Sequence, residues 1–424
     1  MKPIVPLLLL VLSASSFADT FTVGSLPGDD FADLASAIAA AQSGDRLELR
    51  SEFFFAGAPI DKSLTIVGAP GTRVRNLMVQ FLPLGEQVVL ADFEVEGLKL
   101  LNSDGTILLD NLFDDSVSFE SEKLRVSDAT DVRIMRSSFE GWSSNRAARI
   151  IESRVEAVDC LFRGQDVLGF WECDSAPDAG RALDVFRNAR FHMVGGEIRG
   201  GDTTDVECGG CFFDYYYGPC GAGDAAVGIR AGFGALESGT ELLLYGPGLI
   251  EGGDGSTTFG DNNPYTPAAV AFSLNKGFVY RSDMTIAPGT QPAPLGTLPA
   301  FTIGPTAVLV DAVTPEPVLR PEGFMTPNTV TGPAAQVRLH ATPGRKARIW
   351  MGRAMHPEAT PGELIERLVT FRRVVYEGFV GPTGLVVLPV RPQDFKGDIA
   401  YFQAEVTDGA GGISRTNSVG VLRR

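Results

Sequence analysis

The segment 200–228, GGDTTDVECGGCFFDYYYGPCGAGDAAVG, concentrates side chains that could bind a ligand. It combines three cysteines, several carboxylates and three consecutive tyrosines. The segments 164–181 and 252–267 are likewise acidic and rich in glycine. If the three segments leave their scaffold on the same side, we expect them to wall a groove that could hold a sugar chain.

Two sets of side chains in these segments are candidates for binding. Aromatic residues offer flat apolar faces with polar tips, and we predict ligand contacts from Phe170, Trp171, Tyr215, Tyr216 and Tyr217. Carboxylate oxygens suit calcium, and the candidate ligands are Asp202, Asp205, Asp214, Asp254 and Asp261. Their spacing matches neither an EF-hand nor the nonapeptide calcium repeat. The alternative is that the tyrosines pack on the scaffold and the aspartates serve as turn residues.

The cysteines also cluster in this part of the chain. They are Cys160, Cys173, Cys208, Cys211 and Cys220. In an exported protein such a cluster predicts disulfides, and an odd number leaves one thiol over. The CxxC pair at 208–211 could also indicate zinc, but no second CxxC and no nearby histidine pair accompany it.

The N-terminus predicts export. Lys2 is followed by an apolar run over 4–12 and by Ser16-Phe17-Ala18. This order is typical of a secretory signal peptide, and we place cleavage after Ala18, with a short N-terminal membrane anchor as the alternative. No later apolar stretch is long enough to span a bilayer. We therefore expect a secreted, extracellular or cell-surface protein without a transmembrane segment after cleavage; a periplasmic location is also compatible.

The net charge of the chain limits the classes of partner that it can bind. The formal net charge is −16, with 52 acidic and 36 basic residues. Such a polyanion repels nucleic acid and anionic lipid. It is compatible with cations, or with anionic polymers that cations bridge. The three histidines are few for a zinc enzyme.

The first region that predicts regular structure is an amphipathic helix near the N-terminus. Apolar residues recur at helical spacing at Phe31, Leu34, Ala35, Ile38 and Ala41. An aspartate at 29 or 30 can cap its start, and Gly44 follows its end. Short strands are expected next in RLELR and in the alternating run that Gly68 ends.

Beyond the helix, short strand-like runs recur at 88–95, 107–113, 133–139, 156–162, 192–198 and 242–250. If Phe93, Phe113, Phe139, Phe162, Ile198 and Ile250 are equivalent, the steps between them are 20, 26, 23, 36 and 52 residues. A period of this size built from short strands predicts a solenoid, with the longer steps carrying insertions. Stacked coils bury a shared apolar interior that a single coil cannot bury. An irregular β-sandwich is the alternative.

The order of a helix, GDRLEL, KSLTIVG and then repeating short strands resembles right-handed parallel β-helix proteins of the pectin-lyase-like superfamily. The resemblance covers roughly residues 20–312 and implies an all-β solenoid whose N-terminal end the helix caps. The superfamily contains lyases, hydrolases, epimerases, adhesins and proteins without activity. The resemblance therefore implies a fold more strongly than a reaction.

The rest of the chain predicts a second unit. We divide the chain into a signal peptide at 1–18, a parallel β-helix domain at 19–312, a proline-rich linker at 313–333 and a C-terminal β-sandwich at 334–424. The strand-like runs of the last region are separated by turn signals such as those at 408–409 and 411–412. The region resembles the all-β modules that follow β-helices in bacterial surface and secreted proteins.

No complete catalytic motif accompanies this organisation. The RxPxxR string of pectate-lyase-like proteins and the NTD and GHG strings of polygalacturonase-like hydrolases are absent from the sequence, so we assign no catalytic residue. We expect a binding or structural role toward polysaccharide. The alternative is a divergent lyase or glycoside hydrolase acting on an acidic glycan, for which Arg181, Arg199, Arg230 and the three tyrosines are candidates.

Overall fold

The structure of the chain is a computed structural model. It describes residues 18–114, 122–141, 146–166, 179–203, 225–233, 239–255, 268–291, 295, 297–311, 318–323, 335–352, 354–358, 367–370, 373–390, 399–407 and 410–422. These residues are mostly in β-strands, with one helix among them. The signal peptide predicted at 1–18 lies outside the described residues except for Ala18.

The first nineteen strands form one parallel hydrogen-bonded network. The early strands are β1 (Thr20–Val23), β2 (Asp45–Leu49), β3 (Phe53–Phe55), β4 (Leu64–Gly68), β5 (Arg73–Gln80), β6 (Gln87–Ala91), β7 (Glu94–Asp110), β8 (Phe113–Asp114) and β9 (Glu122–Met135). The later ones are β10 (Ser138–Glu140), β11 (Arg146–Ile151), β12 (Arg154–Val158), β13 (Leu161–Arg163), β14 (Leu183–Phe186), β15 (Arg190–Arg199), β16 (Ile229–Ala231), β17 (Glu241–Glu251), β18 (Phe272–Ala287) and β19 (Phe301–Asp311).

Their pairing is that of a parallel β-helix with three faces. Each strand pairs with the strand one coil later along the chain, as β2 does with β4 and β4 with β6. Face 1 contains β2, β4, β6, β12 and the parts of the longer strands that pair with them. Face 2 contains β3, β8, β10 and β13, and face 3 contains β11, β14 and β16 with their partners. The predicted all-β parallel solenoid is therefore confirmed.

Stacked side chains fill the interior. On face 2, Phe139, Phe162, Ile198 and Ile250 are in register and fully buried, as the sequence period predicts. The prediction is wrong for Phe113, which is 41% exposed. Asp114 is the residue that pairs in register with Phe139.

The inward position of Asp114 has a physical reason. Its Oδ1 lies 3.2 Å from the buried Lys123 ammonium, and its Oδ2 accepts the Gly97 N–H at 3.0 Å. These partners let a carboxylate occupy a position that is apolar in other coils. Phe93 is buried but precedes β7, and Val95 is the residue that pairs with Val74 in this coil.

The corner between faces 1 and 2 is a tight turn. Asp92, Asn111, Arg136 and Asp159 there have φ between 48° and 65°, a left-handed conformation that Asn and Asp tolerate better than most residues. The Asn111 side-chain amide donates to the Asp92 carboxylate of the previous coil at 2.7 Å. Polar side chains of neighbouring coils therefore contact each other at this corner.

Helix α1 (Leu34–Ala40) lies against the first coil. Its buried residues Leu34 and Ile38 belong to the same core as the inward side chains of the solenoid. The cap is Asp33, whose carboxylate accepts the Ser36 N–H at 2.8 Å, so the prediction of Asp29 or Asp30 is wrong. Those two carboxylates accept the backbone N–H groups of Leu26 and Thr22 instead.

The C-terminal unit is antiparallel. Its strands are β20 (Val318–Gly323), β21 (Ala335–His340), β22 (Lys346–Gly352), β23 (Ala354–Glu358), β24 (Arg367–Thr370), β25 (Arg373–Phe379), β26 (Leu385–Val390), β27 (Ile399–Thr407) and β28 (Ile413–Leu422). They form the sheets β20-β21-β26, β25-β22-β27-β28 and β23-β24. Strand β20 lies within the predicted linker 313–333. The arrangement of these sheets as a sandwich stays a prediction.

This unit packs against the outside of face 1. Outward side chains of face 1, including Leu108, Val158, Val194 and Leu243, share a hydrophobic cluster with β22, β27 and β28. The two parts touch closely, since a Cβ placed on Gly420 would lie 3.3 Å from the Leu108 side chain. The solenoid and the C-terminal unit are thus joined by a common apolar interface.

Within the described ranges, no helix has both the length and the apolar character needed to cross a bilayer.

Candidate functional site

The three predicted insertions leave the solenoid from one corner, between faces 2 and 3. A single series of backbone hydrogen bonds joins them there. Its members come alternately from the segment that enters an insertion and from the segment that returns from it. The N–H groups of Gly180, Gly201, Ala226, Gly253, Ala269 and Gly289 each donate to the preceding member, beginning with Gln165 O, at 2.8–3.1 Å. The described ends of the three insertions therefore lie on the same side of the solenoid.

Aspartates reinforce this corner. Asp166 Oδ1 accepts the N–H of Asp202 at 3.0 Å, and Asp202 Oδ1 accepts the N–H of Asp254 at 2.6 Å. Asp254 Oδ1 in turn accepts the N–H of Thr290. Two of the five predicted calcium ligands, Asp202 and Asp254, are thus brought together, and one oxygen of each holds the backbone of the next coil.

Burial and neighbouring charges raise the pKa of two carboxyl groups at this corner. Burial raises the pKa of Asp202, and the neighbouring Asp166 and Asp254 charges raise it further. Burial also raises the pKa of Glu251, with Asp254 and Asp202 contributing. In the part of the chain that the structure describes, no three His, Cys, Asp or Glu side chains are grouped to hold a metal ion.

The remaining candidates of the insertions lie outside the described residues. They are the aromatic residues Phe170, Trp171, Tyr215, Tyr216 and Tyr217, the aspartates Asp205, Asp214 and Asp261, and the cysteines Cys173, Cys208, Cys211 and Cys220. Their roles stay predictions.

Cys160 is a free thiol in the solenoid interior. Its Sγ donates to Val158 O at 3.3 Å and to Ile134 O at 3.4 Å, and burial raises the pKa of the thiol to about 12. Its side chain fills the core as a free thiol, in keeping with the expectation that an odd number of cysteines leaves one over. Four cysteines, an even number, are left for pairing.

Arginines converge on the outside of face 3, beside the insertion corner. In successive coils, one outward position is occupied by Lys99, Arg125, Arg149, Asp184 and Arg230. Two more guanidinium groups, from Arg146 and Arg181, reach this row from the starts of their coils. We call Arg125, Arg146, Arg149, Arg181 and Arg230 the arginine cluster.

The Asp184 carboxylate lies close to three arginines of the cluster. Its carboxylate is fully buried, and it lies 3.0 Å from Arg146 Nε and 3.1 Å from Arg230 Nε. Arg181 Nε lies 3.9 Å from the same carboxylate. The buried Glu122 neutralises a further guanidinium, that of Arg125, at 3.3 Å. Among the described residues of the face, the arginines outnumber these two carboxylates, although the whole chain is strongly acidic.

Arg149 stands at the centre without an anion of its own. No carboxylate of the described residues lies within ion-pair distance of it, and its buried Nε has no hydrogen-bond partner among them. Burial lowers the pKa of Arg149, and the charge of Arg146 lowers it further. A cation held this way gains from an anion supplied by a ligand.

Two phenylalanines complete the face. The Arg230 guanidinium lies 5.2 Å from the Phe186 ring centroid and 5.8 Å from that of Phe233. Arg149 lies 5.9 Å from Phe186. Cation–π contacts of this kind hold guanidinium groups in place, and the 38% exposed Phe233 adds an accessible apolar surface.

The structure places two of the three arginines that the sequence analysis named in the cluster and the third elsewhere. Arg181 and Arg230 meet at Asp184, but Arg199 lies on face 2, where it pairs with Glu197 and Glu251. Arg125, Arg146 and Arg149 are part of the cluster that sequence reasoning missed. The signal was present in the arginines that alternate with apolar residues in EKLRV and RAARI, one coil apart.

No family model matches the chain, and no curated protein matches it. Among solved structures, the chain is similar to full-length tailspike protein 2 of an Escherichia coli O157:H7 bacteriophage, with 11% identity, 96% of this chain and 68% of that chain covered, and a TM-score of 0.30. The enzymatically active domain of bacteriophage CBA120 tailspike protein 2 has 12% identity, coverage of 96% and 76%, and a TM-score of 0.27. For the receptor-binding protein of bacteriophage Det7 the values are 11%, 96% and 98%, and 0.17. TM-scores of this size establish no shared function, and the β-helix assignment stands on the strand register itself.

Proposed function

We propose that this chain is an exported β-helix protein that binds an anionic polysaccharide along face 3. The observation that carries the proposal is the arginine cluster, with the unpaired Arg149 guanidinium at its centre. Successive coils place their guanidinium groups about 4.8 Å apart along the solenoid axis. A linear polymer with repeated carboxylate or sulfate groups has the matching chemistry, because it can offer one anion after another along the same axis.

The geometry also supports specificity for charge. Arg149 is only partly buried and has no carboxylate within ion-pair distance among the described residues, and charge-assisted hydrogen bonds are stronger than neutral ones. Neutral glycans can use the apolar surface of Phe233, but they leave the positive charges uncompensated. We therefore expect acidic glycans to bind more tightly than neutral glycans of equal length.

A divergent polysaccharide lyase is the second candidate. Elimination next to a uronate requires positive groups that neutralise the carboxylate and a base that takes the adjacent proton. The guanidinium groups that converge on face 3 favour this candidate, since they could neutralise the uronate carboxylate. Calcium bound by the insertion aspartates would supply further positive charge if those residues act as the sequence suggests.

Native affinity electrophoresis tests the proposal. Gels containing pectate, alginate or a neutral glycan are run with calcium and with chelator, and are then stained for polymer. Retardation in the acidic gels alone is the expected result. A cleared zone around the protein would show an enzyme that degrades the polymer, and retardation lost with chelator would support a calcium-dependent site.

Two matched variants locate the site. Arg149→Ala removes the unpaired guanidinium, and the loss of one charged hydrogen-bond donor should weaken binding about tenfold. Arg50→Ala makes the same charge change on a 47% exposed arginine at the first coil, several coils before the arginine cluster, and should leave retardation unchanged. Equal retardation of both variants would remove face 3 as the binding site.

A further inference from the structure

A polar group interrupts the apolar interface between face 1 and the C-terminal unit. One outward position of face 1 runs through Leu108, Arg133, Glu156, His192 and Leu243 in successive coils. The apolar ends of this row belong to the interface cluster. The three polar residues between them are each less than 8% exposed.

The histidine is surrounded from both sides of its strand. His192 Nδ1 lies 3.9 Å from Glu156 in β12, and its ring lies 4.5 Å from the ring of Tyr245 in β17. Its buried Nε2 has no hydrogen-bond partner among the described residues. The guanidinium groups of Arg190 in its own strand and of Arg154 in β12 face it as well.

Strand β9 and the C-terminal unit complete the surroundings. Arg133 pairs with Asp131 at 2.8 Å and contacts Glu156. From the C-terminal side, the buried Tyr401 hydroxyl lies close enough to feel the charges of Asp131 and Arg133. That hydroxyl also lacks a hydrogen-bond partner among the described residues. The charges of three arginines thus act on the imidazole, the Glu156 carboxylate lies beside it, and the histidine is only 7% exposed while the unit is docked.

We propose that the C-terminal unit is a cover released by acid, held on face 1 while His192 is neutral and freed when His192 is protonated. Protonation places a cation in a buried site on which the charges of three guanidinium groups act. Release of the unit hydrates the imidazolium and exposes the apolar outward side chains of face 1. The proposal does not rest on the polysaccharide site, because face 1 and face 3 are different surfaces.

The direction of the pH response follows from the lowered pKa of His192. Burial lowers the pKa of His192 well below 6.5, and Arg190 and Arg133 lower it further. A histidine that titrates lower in the docked state binds fewer protons there, so docking is strongest above about pH 6.5. Below that pH the equilibrium shifts toward release by up to about tenfold for each pH unit, until the pKa of the docked state is reached.

The test follows release in the full chain between pH 7.5 and pH 4.5. Binding of the apolar dye ANS and the radius of gyration from small-angle scattering are expected to rise, while the far-UV circular dichroism keeps its β-sheet signal. His192→Gln should abolish this pH response. His340→Gln changes an exposed histidine of the C-terminal unit and should respond as the unmodified chain does.

Two results would overturn the proposal: a His192→Gln variant with the unmodified pH response, or no release before the far-UV signal is lost. A measurement on the unmodified chain covers the case in which the variant fails to fold. The chain has three histidines, so ring resonances of isotope-labelled histidine can be followed singly. One imidazole should stay neutral down to the pH of release and titrate together with it, whereas a histidine that titrates near 6.5 without release contradicts the cover.

Discussion

The insertion corner offers a sharp test of how the solenoid is assembled. A Cβ placed on Gly253 would lie 1.9 Å from Gly201 O and 3.2 Å from Ala226 N. These are backbone atoms of the neighbouring layer, and they cannot move aside as a flexible side chain can. We therefore expect Gly253→Ala to push two layers of the corner apart.

The size of the effect can be worked from the contacts. Overpacking of a tight site destabilises by about 1–3 kcal/mol. Separation of the layers also weakens the Gly253 N–H bond to Ala226 O and the Ala269 N–H bond to Gly253 O, both 2.9 Å long. Each bond contributes about 1 kcal/mol, so the free energy of unfolding should fall by about 3–5 kcal/mol.

Gly239→Ala is the matched control. A Cβ at Gly239 meets no atom within 4 Å, and its φ is not in the left-handed region. Its effect should lie within about 1 kcal/mol of zero and can be stabilising. Urea unfolding followed by circular dichroism compares the two variants. If Gly253→Ala unfolds at the same urea concentration as Gly239→Ala, the close stacking described at this corner is wrong.

Three further outcomes are expected. Cys160 should react with a thiol reagent only after denaturation, because its thiol is buried, and immediate labelling of the Cys160 peptide in the native protein, detected by mass spectrometry, would contradict this position. Asp184→Ala should lower the free energy of unfolding by about 2–4 kcal/mol, since it leaves partly buried guanidinium groups without their anion; Asp61→Ala, an exposed carboxylate, is its control in the same urea titration. Asp33→Ala should destabilise by about 1 kcal/mol through loss of the helix cap, and thermal unfolding equal to that of the unmodified chain would remove Asp33 from that role.

The solenoid could be predicted because its period is carried by large apolar residues. Phe139, Phe162, Ile198 and Ile250 keep their places in the core even where insertions lengthen the step between them. Phe113 misled the alignment because a buried ion pair lets Asp114 take the inward position. An ion pair of this kind depends on a neighbour in space, which a repeat pattern does not show.

The arginine cluster was predicted only in part for a related reason. The outward row of face 3 is broken in sequence by the long steps between Arg149, Asp184 and Arg230, and its fourth member is an aspartate. Only the strand register shows that this aspartate gathers the arginines around it. Sequence reasoning looked for aromatic residues and carboxylates within the insertions, and thus did not examine the face beside them.

The covered outer side of face 1 had a signal in the sequence that was not used. Runs such as QVVLA at 87–91 and TILLD at 106–110 are apolar at consecutive positions. A strand with one side in water alternates, whereas a continuous apolar run is typical of a strand buried on both sides. The proline-rich stretch at 313–333 instead predicted two separate units. The strands that bury the outer side of these runs lie more than 200 residues after them in the chain.

Because of the hydrogen-bonded layers at the insertion corner, this solenoid can also serve as a scaffold that displays foreign peptides in place of its own insertions. The backbone hydrogen bonds there stay within 2.8–3.1 Å at every layer, although Asp166, Asp202 and Asp254 are 36 and 52 residues apart. The rise of the coils is therefore independent of how much chain leaves between two layers. A foreign loop inserted between Asp166 and Gly180, with both ends kept, would be displayed beside the arginine cluster without a change to the core.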